Sequence, residues 1–176
     1  RMSSSEPANG WNCWSARRLE MRWSGLRALV IERFAPEVRG RLDIQSTRYG
    51  NCSCGHAWMT FDGEVIANFC TRANYIAGGY EGGSASRNPM YRSQFADFGE
   101  LSRQDAYRAC WDFVHELSIE QAMQDDDPLI QSLAMADGRI GTRRLEQIDG
   151  SKLHRLAAHI LDIRRQTRGV KTRNAA

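Results

Sequence analysis

The fold turns on one stretch of the chain, His56-Ala57-Trp58-Met59-Thr60-Phe61-Asp62-Gly63-Glu64-Val65-Ile66-Ala67-Asn68-Phe69-Cys70. Its two halves are rich in aromatic and β-branched residues, and Asp62-Gly63-Glu64 between them is turn chemistry, so 56–61 and 65–70 read as the strands of a hairpin. Two registers compete. An Asp62-Gly63 two-residue turn pairs Phe61 with Glu64 and mixes apolar and polar side chains on both faces. Pairing Phe61 with Val65 instead gathers Ala57, Met59, Phe61, Val65, Ala67 and Phe69 on one apolar face and sets His56 opposite Cys70. A one-residue slip turns a strand's apolar set to the wrong side, so burial specifies register strongly and the second pairing is the expectation.

Working outward, residues 41–49 read as a third strand, joined to the hairpin by the loop Gly50-Asn51-Cys52-Ser53-Cys54-Gly55. Before it, Leu26, Leu29, Val30 and Phe34 recur at helical spacing, with Ser24 as the expected N-cap and Pro36 limiting the helix. Residues 71–101 are Gly-rich and aromatic without periodicity. A structureless loop of about thirty residues is improbable inside a domain, so a further strand, a short helix or a lid is expected there.

The rest is helical with clear punctuation. Ser102 and Asp105 open a helix whose Ala106, Ala109, Cys110, Phe113, Val114 and Leu117 form one stripe, making Cys110 a core thiol. Asp127-Pro128 is an N-cap with proline at the first helical position, and Gly138 suits the stop. A short helix over 142–148 ends before Gly150, and Ser151 is the expected cap of a last helix with Leu153, Leu156, Ala157, Ile160 and Leu161 facing in. The fold class is therefore α+β: an N-terminal helix, an antiparallel sheet of three or more strands, then a C-terminal bundle of about four helices. Residues 1–22 are expected to be a flexible extension, 23–168 a single domain, and 169–176 a disordered basic tail. With 41% apolar residues, a chain of 176 residues can bury a core without disulfides.

No run is long and apolar enough to span a bilayer, and the first residues lack the charged and apolar regions of a signal peptide, so a cytoplasmic protein is expected. Five cysteines in such a chain point to thiols or metal ligands rather than a disulfide framework. Cys52, Cys54, His56 and Cys70 are the candidate metal ligands: in the preferred register, with strand geometry carried back through the loop, all four project to one side, and thiolate with imidazole is a zinc ligand set. The C-x-C spacing departs from the C-x₂₋₄-C of structural zinc sites. Loop thiols beside a surface histidine are the plainer reading, and no cofactor is expected other than zinc at that cluster.

Charge is unevenly distributed. Residues 139–176 carry ten basic side chains against three acidic ones, net +7, while the remainder is net −4. Arg139, Arg143, Arg144, Arg155, Arg164 and Arg165 are the candidates for contacting nucleic acid or an acidic protein. The three consecutive helices from Asp127 to Arg165 superficially match a helix-turn-helix, although the same turns link ordinary bundles. No cysteine or histidine has a recognisable base, orienter or oxyanion hole, and neither H-E-x-x-H nor a phosphate-binding glycine spacing is present. Asp125-Asp126-Asp127 fits a helix start, where negative charge is favoured, better than a cation site.

Two segments carry a family resemblance. Met21-Arg22-Trp23-Ser24-Gly25-Leu26-Arg27, Glu32-Arg33-Phe34, Arg39-Gly40-Arg41, Thr47-Arg48-Tyr49, and Trp58 through Asp62-Gly63-Glu64 to Asn68-Phe69 resemble the N-terminal half of a family of small uncharacterised bacterial proteins. Asp127-Pro128-Leu129-Ile130, Leu133-Ala134-Met135-Ala136-Asp137, Arg139, Gly141 and Arg143-Arg144-Leu145 resemble its C-terminal half. The resemblance implies no activity, cofactor or catalytic residue. It implies a start near Met21, and a polar loop without the cysteine pair, which makes a metal site peculiar to this chain.

The leading expectation is a non-enzymatic binding or regulatory domain whose basic C-terminal helices meet nucleic acid or an acidic protein. The alternatives are a zinc-stabilised interaction domain, and an enzyme with the 71–101 segment as lid over the ribbon.

Overall fold

The hairpin keeps both of the competing registers. In the computed structural model, which describes residues 21–48, 55–70, 95 and 103–174, β1 (Leu42–Arg48), β2 (Gly55–Phe61) and β3 (Glu64–Cys70) form an antiparallel sheet in the order β1-β2-β3. At the tip Phe61 pairs with Glu64 and Thr60 with Val65, as the two-residue turn demands. Asp62 and Gly63 both take positive φ, 51° and 84°, the backbone a type I′ turn requires. From Met59 onward the pairing changes to Met59 with Ala67, Ala57 with Phe69 and His56 with Cys70. Ile66 is the extra residue of the resulting β-bulge, and its carbonyl accepts from the Phe95 N–H at 3.1 Å.

The bulge corrects the expected apolar face in one place. Ala57, Met59, Ala67 and Phe69 are fully buried, joined by Leu42 and Ile44 of β1. Val65, expected among them, pairs with Thr60 and turns to the opposite face, where it is half-buried. Phe61 is also only half-buried, its ring covered by the Arg41 guanidinium 4.4 Å from the centroid.

Helix α1 (Trp23–Arg33) starts one residue before the expected cap, so Ser24 lies inside it and the extended Arg22 precedes it without a side-chain cap. It packs Leu26 and Val30 inward, and the chain then turns through Phe34, Ala35 and Val38, all buried. The helical half comprises α2 (Arg103–His115), α3 (Ile119–Met123), α4 (Pro128–Ala136), α5 (Thr142–Gln147), a 3₁₀ turn (Gly150–Lys152) and α6 (Arg155–Asn174). These are five α-helices where about four were expected. Helix α2 packs between the sheet and α4, and α4 in turn lies against α6. The core runs without a break from Ile44 and Met59 through Phe113 to Leu133, Met135, Leu156 and Ile160.

Several helix ends follow the sequence and others do not. Asp127 caps α4, its carboxylate accepting from Leu129 N–H at 2.8 Å and Ile130 N–H at 3.2 Å, with Pro128 next. Helix α4 stops at an extended Asp137. Gly138 does not cap it; its N–H donates to Arg33 O at 2.9 Å, while Ala35 N–H donates to Ala136 O at 2.8 Å. That two-bond bridge between Phe34 and Asp137 ties the end of α1 to the end of α4. Ser151 is likewise not the cap of the last helix: it sits in the 3₁₀ turn capped by Asp149, and the His154 Nδ1 accepts from Leu156 N–H at the start of α6. The backbone of α6 continues through Gly169 to Asn174, over residues where a disordered tail was expected. Among the described residues no helix is long and apolar enough to cross a membrane. Apart from Met21, Arg22 and Phe95, residues 1–22 and 71–101 lie outside the described residues.

Candidate functional site

The last carbonyls of an α-helix have no partner within the helix, and the planar guanidinium, with five donors in a fixed fork, suits several carbonyls converging at one end. Among the described residues, arginine is used in that way four times. Arg33, leaving α1, donates to Phe113 O at 2.9 Å and Val114 O at 2.5 Å at the end of α2, with its guanidinium 5.5 Å from the Phe113 ring centroid. Arg39 turns back on α1, donating to Phe34 O at 3.1 Å and Glu32 O at 2.5 Å. Arg164 and Arg165, both expected at a partner surface, do the same for α4 and α5.

Arg164 is fully buried. Its Nη1 donates to Met135 O at 2.7 Å and Asp137 O at 2.9 Å, and its Nη2 to Ile140 O at 3.0 Å. Burial lowers its pKa, against which the nearby Glu37 carboxylate acts. Arg165 Nη2 gathers Leu145 O at 2.8 Å, Glu146 O at 3.3 Å and Ile148 O at 2.6 Å at the end of α5. Both side chains are committed to holding the helices, which removes them from the expected contact set.

The other four expected residues stand outside. Arg139 follows α4 and is held bidentately by Asp137, with Nη2 to Oδ2 at 2.7 Å and Nε to Oδ2 at 3.0 Å. The Asp137 side chain is only 1% exposed. Arg144 on α5 pairs with Glu120 of α3 at 2.8 Å, both ends in solvent, and the ion pair helps to hold the Glu120 carboxyl below its ordinary pKa. Arg143 is exposed and has no partner among the described residues. Arg155 is the exposed first residue of α6. Helix α5 is six residues long, buries Leu145, and leaves Thr142, Arg143, Arg144, Glu146 and Gln147 exposed.

Behind this face lies a polar junction that the sequence reading did not pick out. Glu37, in the turn between α1 and β1, is 7% exposed and accepts from the Nε of Arg168, whose Nη1 donates to Thr142 Oγ1. Burial works to raise the Glu37 carboxyl, but hydrogen bonds from its own backbone and from Arg168, with the charges of Arg168 and Arg164, outweigh it and lower the pKa. The available signal was the spacing Arg33, Glu37, Arg39 around Pro36, charged residues in a segment whose Phe34, Ala35 and Val38 had to be buried.

For the candidate metal ligands, the Cα pairing of His56 with Cys70 is the expected one. Cys52 and Cys54, and the side chains of His56 and Cys70, lie outside the described residues. Among the described residues no group of three or more His, Cys, Asp or Glu side chains could hold a metal ion. Cys110 is a buried core thiol whose pKa is pushed up by desolvation, aided by the Asp127 charge. The described histidines have local roles: His115 lies against Trp111 at 4.3 Å between ring centroids, and His159 stacks on Phe95 at 3.7 Å.

No curated protein and no solved structure matches the chain. A family model does, over nearly the span in which the two segments carried a resemblance. The chain belongs to the SF0329 protein family, a family of uncharacterised proteins whose model matches residues 22–165.

Proposed function

We propose that this is a non-enzymatic binding domain that docks an acidic protein segment on the exposed face of α5, with Arg143 and Arg144 as its central contacts and Arg139 and Arg155 as flanking charges. The observation that carries the reading is the division of labour among the C-terminal arginines. Arg164 and Arg165 serve helix ends, whereas Arg143 stands in solvent without a partner among the described residues, on a helix whose other exposed side chains are polar. An exposed ion pair contributes about 0.2–1 kcal/mol, so Arg144 can exchange Glu120 for a partner's carboxylate at little cost.

An acidic protein segment suits this face better than nucleic acid does. Specific and non-specific nucleic-acid binding draws on many phosphate contacts, about 6–10 in strongly salt-dependent cases. Of the six expected arginines four remain outside, Arg139 held by Asp137 and Arg144 paired with Glu120. A recognition helix also needs length to reach into a groove, and α5 has six residues.

The test is fluorescence anisotropy with a labelled poly-glutamate peptide, a short DNA duplex and a short RNA, each at low and at physiological salt. Wild type is expected to bind the acidic peptide at low salt, and Arg143→Glu with Arg144→Glu to weaken it about tenfold with an unchanged circular dichroism spectrum. Tighter, steeply salt-dependent binding to DNA or RNA replaces the acidic-protein reading with the nucleic-acid one. Binding to none of the three at low salt removes the docking face altogether.

A further inference from the structure

Arg143 and Arg144 are neighbours on α5 with unequal access to a partner. Arg143 is exposed and has no partner among the described residues. Arg144 Nη1 donates to Glu120 Oε1 at 2.8 Å, although both side chains stand in solvent, 44% and 59% exposed. A carboxylate is therefore already seated on one of the two central contacts.

Glu120 is held in place by α3. The capping box fixes the first turn of that helix, with Ser118 Oγ accepting from Gln121 N–H at 3.2 Å and Gln121 Oε1 accepting from Ser118 N–H at 2.9 Å. Hydrogen bonds from Arg144, from the Glu120 backbone N–H and from Ser118 keep the carboxyl below its ordinary pKa. When Arg144 turns away, the last two of these remain, so opening the pair does not strand Glu120. The guanidinium, already exposed, passes to solvent. An exposed pair of this kind adds little to folding. Its consequence lies with whatever else seeks Arg144.

On the reading that α5 is the docking face, we propose that Glu120 is a built-in competitor, its carboxylate occupying the place on Arg144 that a carboxylate of the acidic partner takes. A partner meets Arg143 unopposed and must displace Glu120 to reach Arg144. Helix α3 thereby sets the affinity threshold of a face carried by α5.

Fluorescence anisotropy of the intact chain with a labelled poly-glutamate peptide at low salt provides the test. Glu120→Gln, which keeps the size of the side chain, is expected to tighten binding about two- to fivefold, the worth of an exposed ion pair. Asp126→Asn makes the same change of charge at an exposed residue between α3 and α4 and should give a smaller gain. In an Arg144→Gln background, which binds more weakly, Glu120→Gln should bring no more gain than Asp126→Asn does. Wild-type binding that Glu120→Gln leaves unchanged overturns the competitor while the docking face stands. So does a gain that Asp126→Asn matches, or one that persists undiminished with Arg144→Gln, since either is an effect of net charge alone. No binding by wild type or by any variant removes the docking face and the competitor with it.

Discussion

Arg164 and Arg143 are the same residue type on neighbouring helices, and their consequences differ completely. Removing the Arg164 head group strands the carbonyls of Met135, Asp137 and Ile140 and leaves Glu37 with one fewer positive neighbour. Breaking such a buried charged arrangement from one side costs about 3–5 kcal/mol. Arg164→Met, which keeps most of the volume, is therefore expected to lower the unfolding free energy by that amount, read as a fall in the urea midpoint at unchanged slope. Arg143→Ala should change stability by no more than about 0.5 kcal/mol. Equal effects from the two substitutions would refute the separation of structural from exposed arginines. The sequence carries a hint of the difference. Residue 164 stands at helical spacing from Leu153, Ala157 and Ile160, on the stripe that faces the core, although a positive charge in a basic segment reads as solvent-facing. Composition locates charge, but only packing shows that three carbonyls at one helix end leave a fully buried place for it.

Among the elements, the β2–β3 hairpin shows how two correct local signals can look contradictory. The Asp62-Gly63 turn fixes one register and the apolar face fixes another, and a single extra residue at Ile66 satisfies both. No alternation rule applied to the strand as a whole anticipates a bulge, which is why Val65 was placed on the wrong face. Where one residue's chemistry decides, the reading succeeded: Asp127 with Pro128 begins α4 as expected, while Ser24 and Ser151 fail because later packing, not cap preference, sets where α1 and α6 begin. The hairpin account has a direct consequence. Gly63 sits at φ 84°, where an L side chain costs about 1–2 kcal/mol, so Gly63→Ala should destabilise by that amount in thermal or urea unfolding. Deleting Ile66 should instead leave a regular ladder with Thr60 opposite Val65 and Met59 opposite Ala67. Cross-strand nuclear Overhauser contacts between Met59 and Ala67 are expected to survive the deletion. Their loss would mean that the bulge, not the apolar face, sets the register.

At the scale of the whole molecule, the two halves are joined by the turn between α1 and β1. The Phe34 to Asp137 bridge, the Arg33 bonds to the end of α2, and the Glu37 to Arg168 contact all cross from that turn or its edge to the helical half. Of these, the Glu37 to Arg168 contact rests on a carboxylate that titrates in the acid range. Its folded-state pKa lies below the ordinary carboxylate value, so its proton affinity is lower folded than unfolded. The stability it contributes is then fully present above the unfolded pKa and disappears as pH falls through the folded one. Asp127 acts with the opposite sign: desolvation, the larger effect, raises its carboxyl, so its share is present below its unfolded pKa and lost as pH rises through the folded one. Asp62, Glu120 and Asp149 are also held low, but they are exposed and salt screens them. Urea unfolding followed from neutral pH down into the acid range, in high salt, should therefore show wild type losing stability below about pH 4.5. Glu37→Gln should start lower at neutral pH and flatten that acid decline, so that the two curves converge at the acid end. Curves that stay parallel throughout would show that Glu37 is not the titrating tie between the sheet and the helices. A sheet signal and a helix signal that separate in Glu37→Gln but coincide in wild type would show the turn acting as the coupling between them.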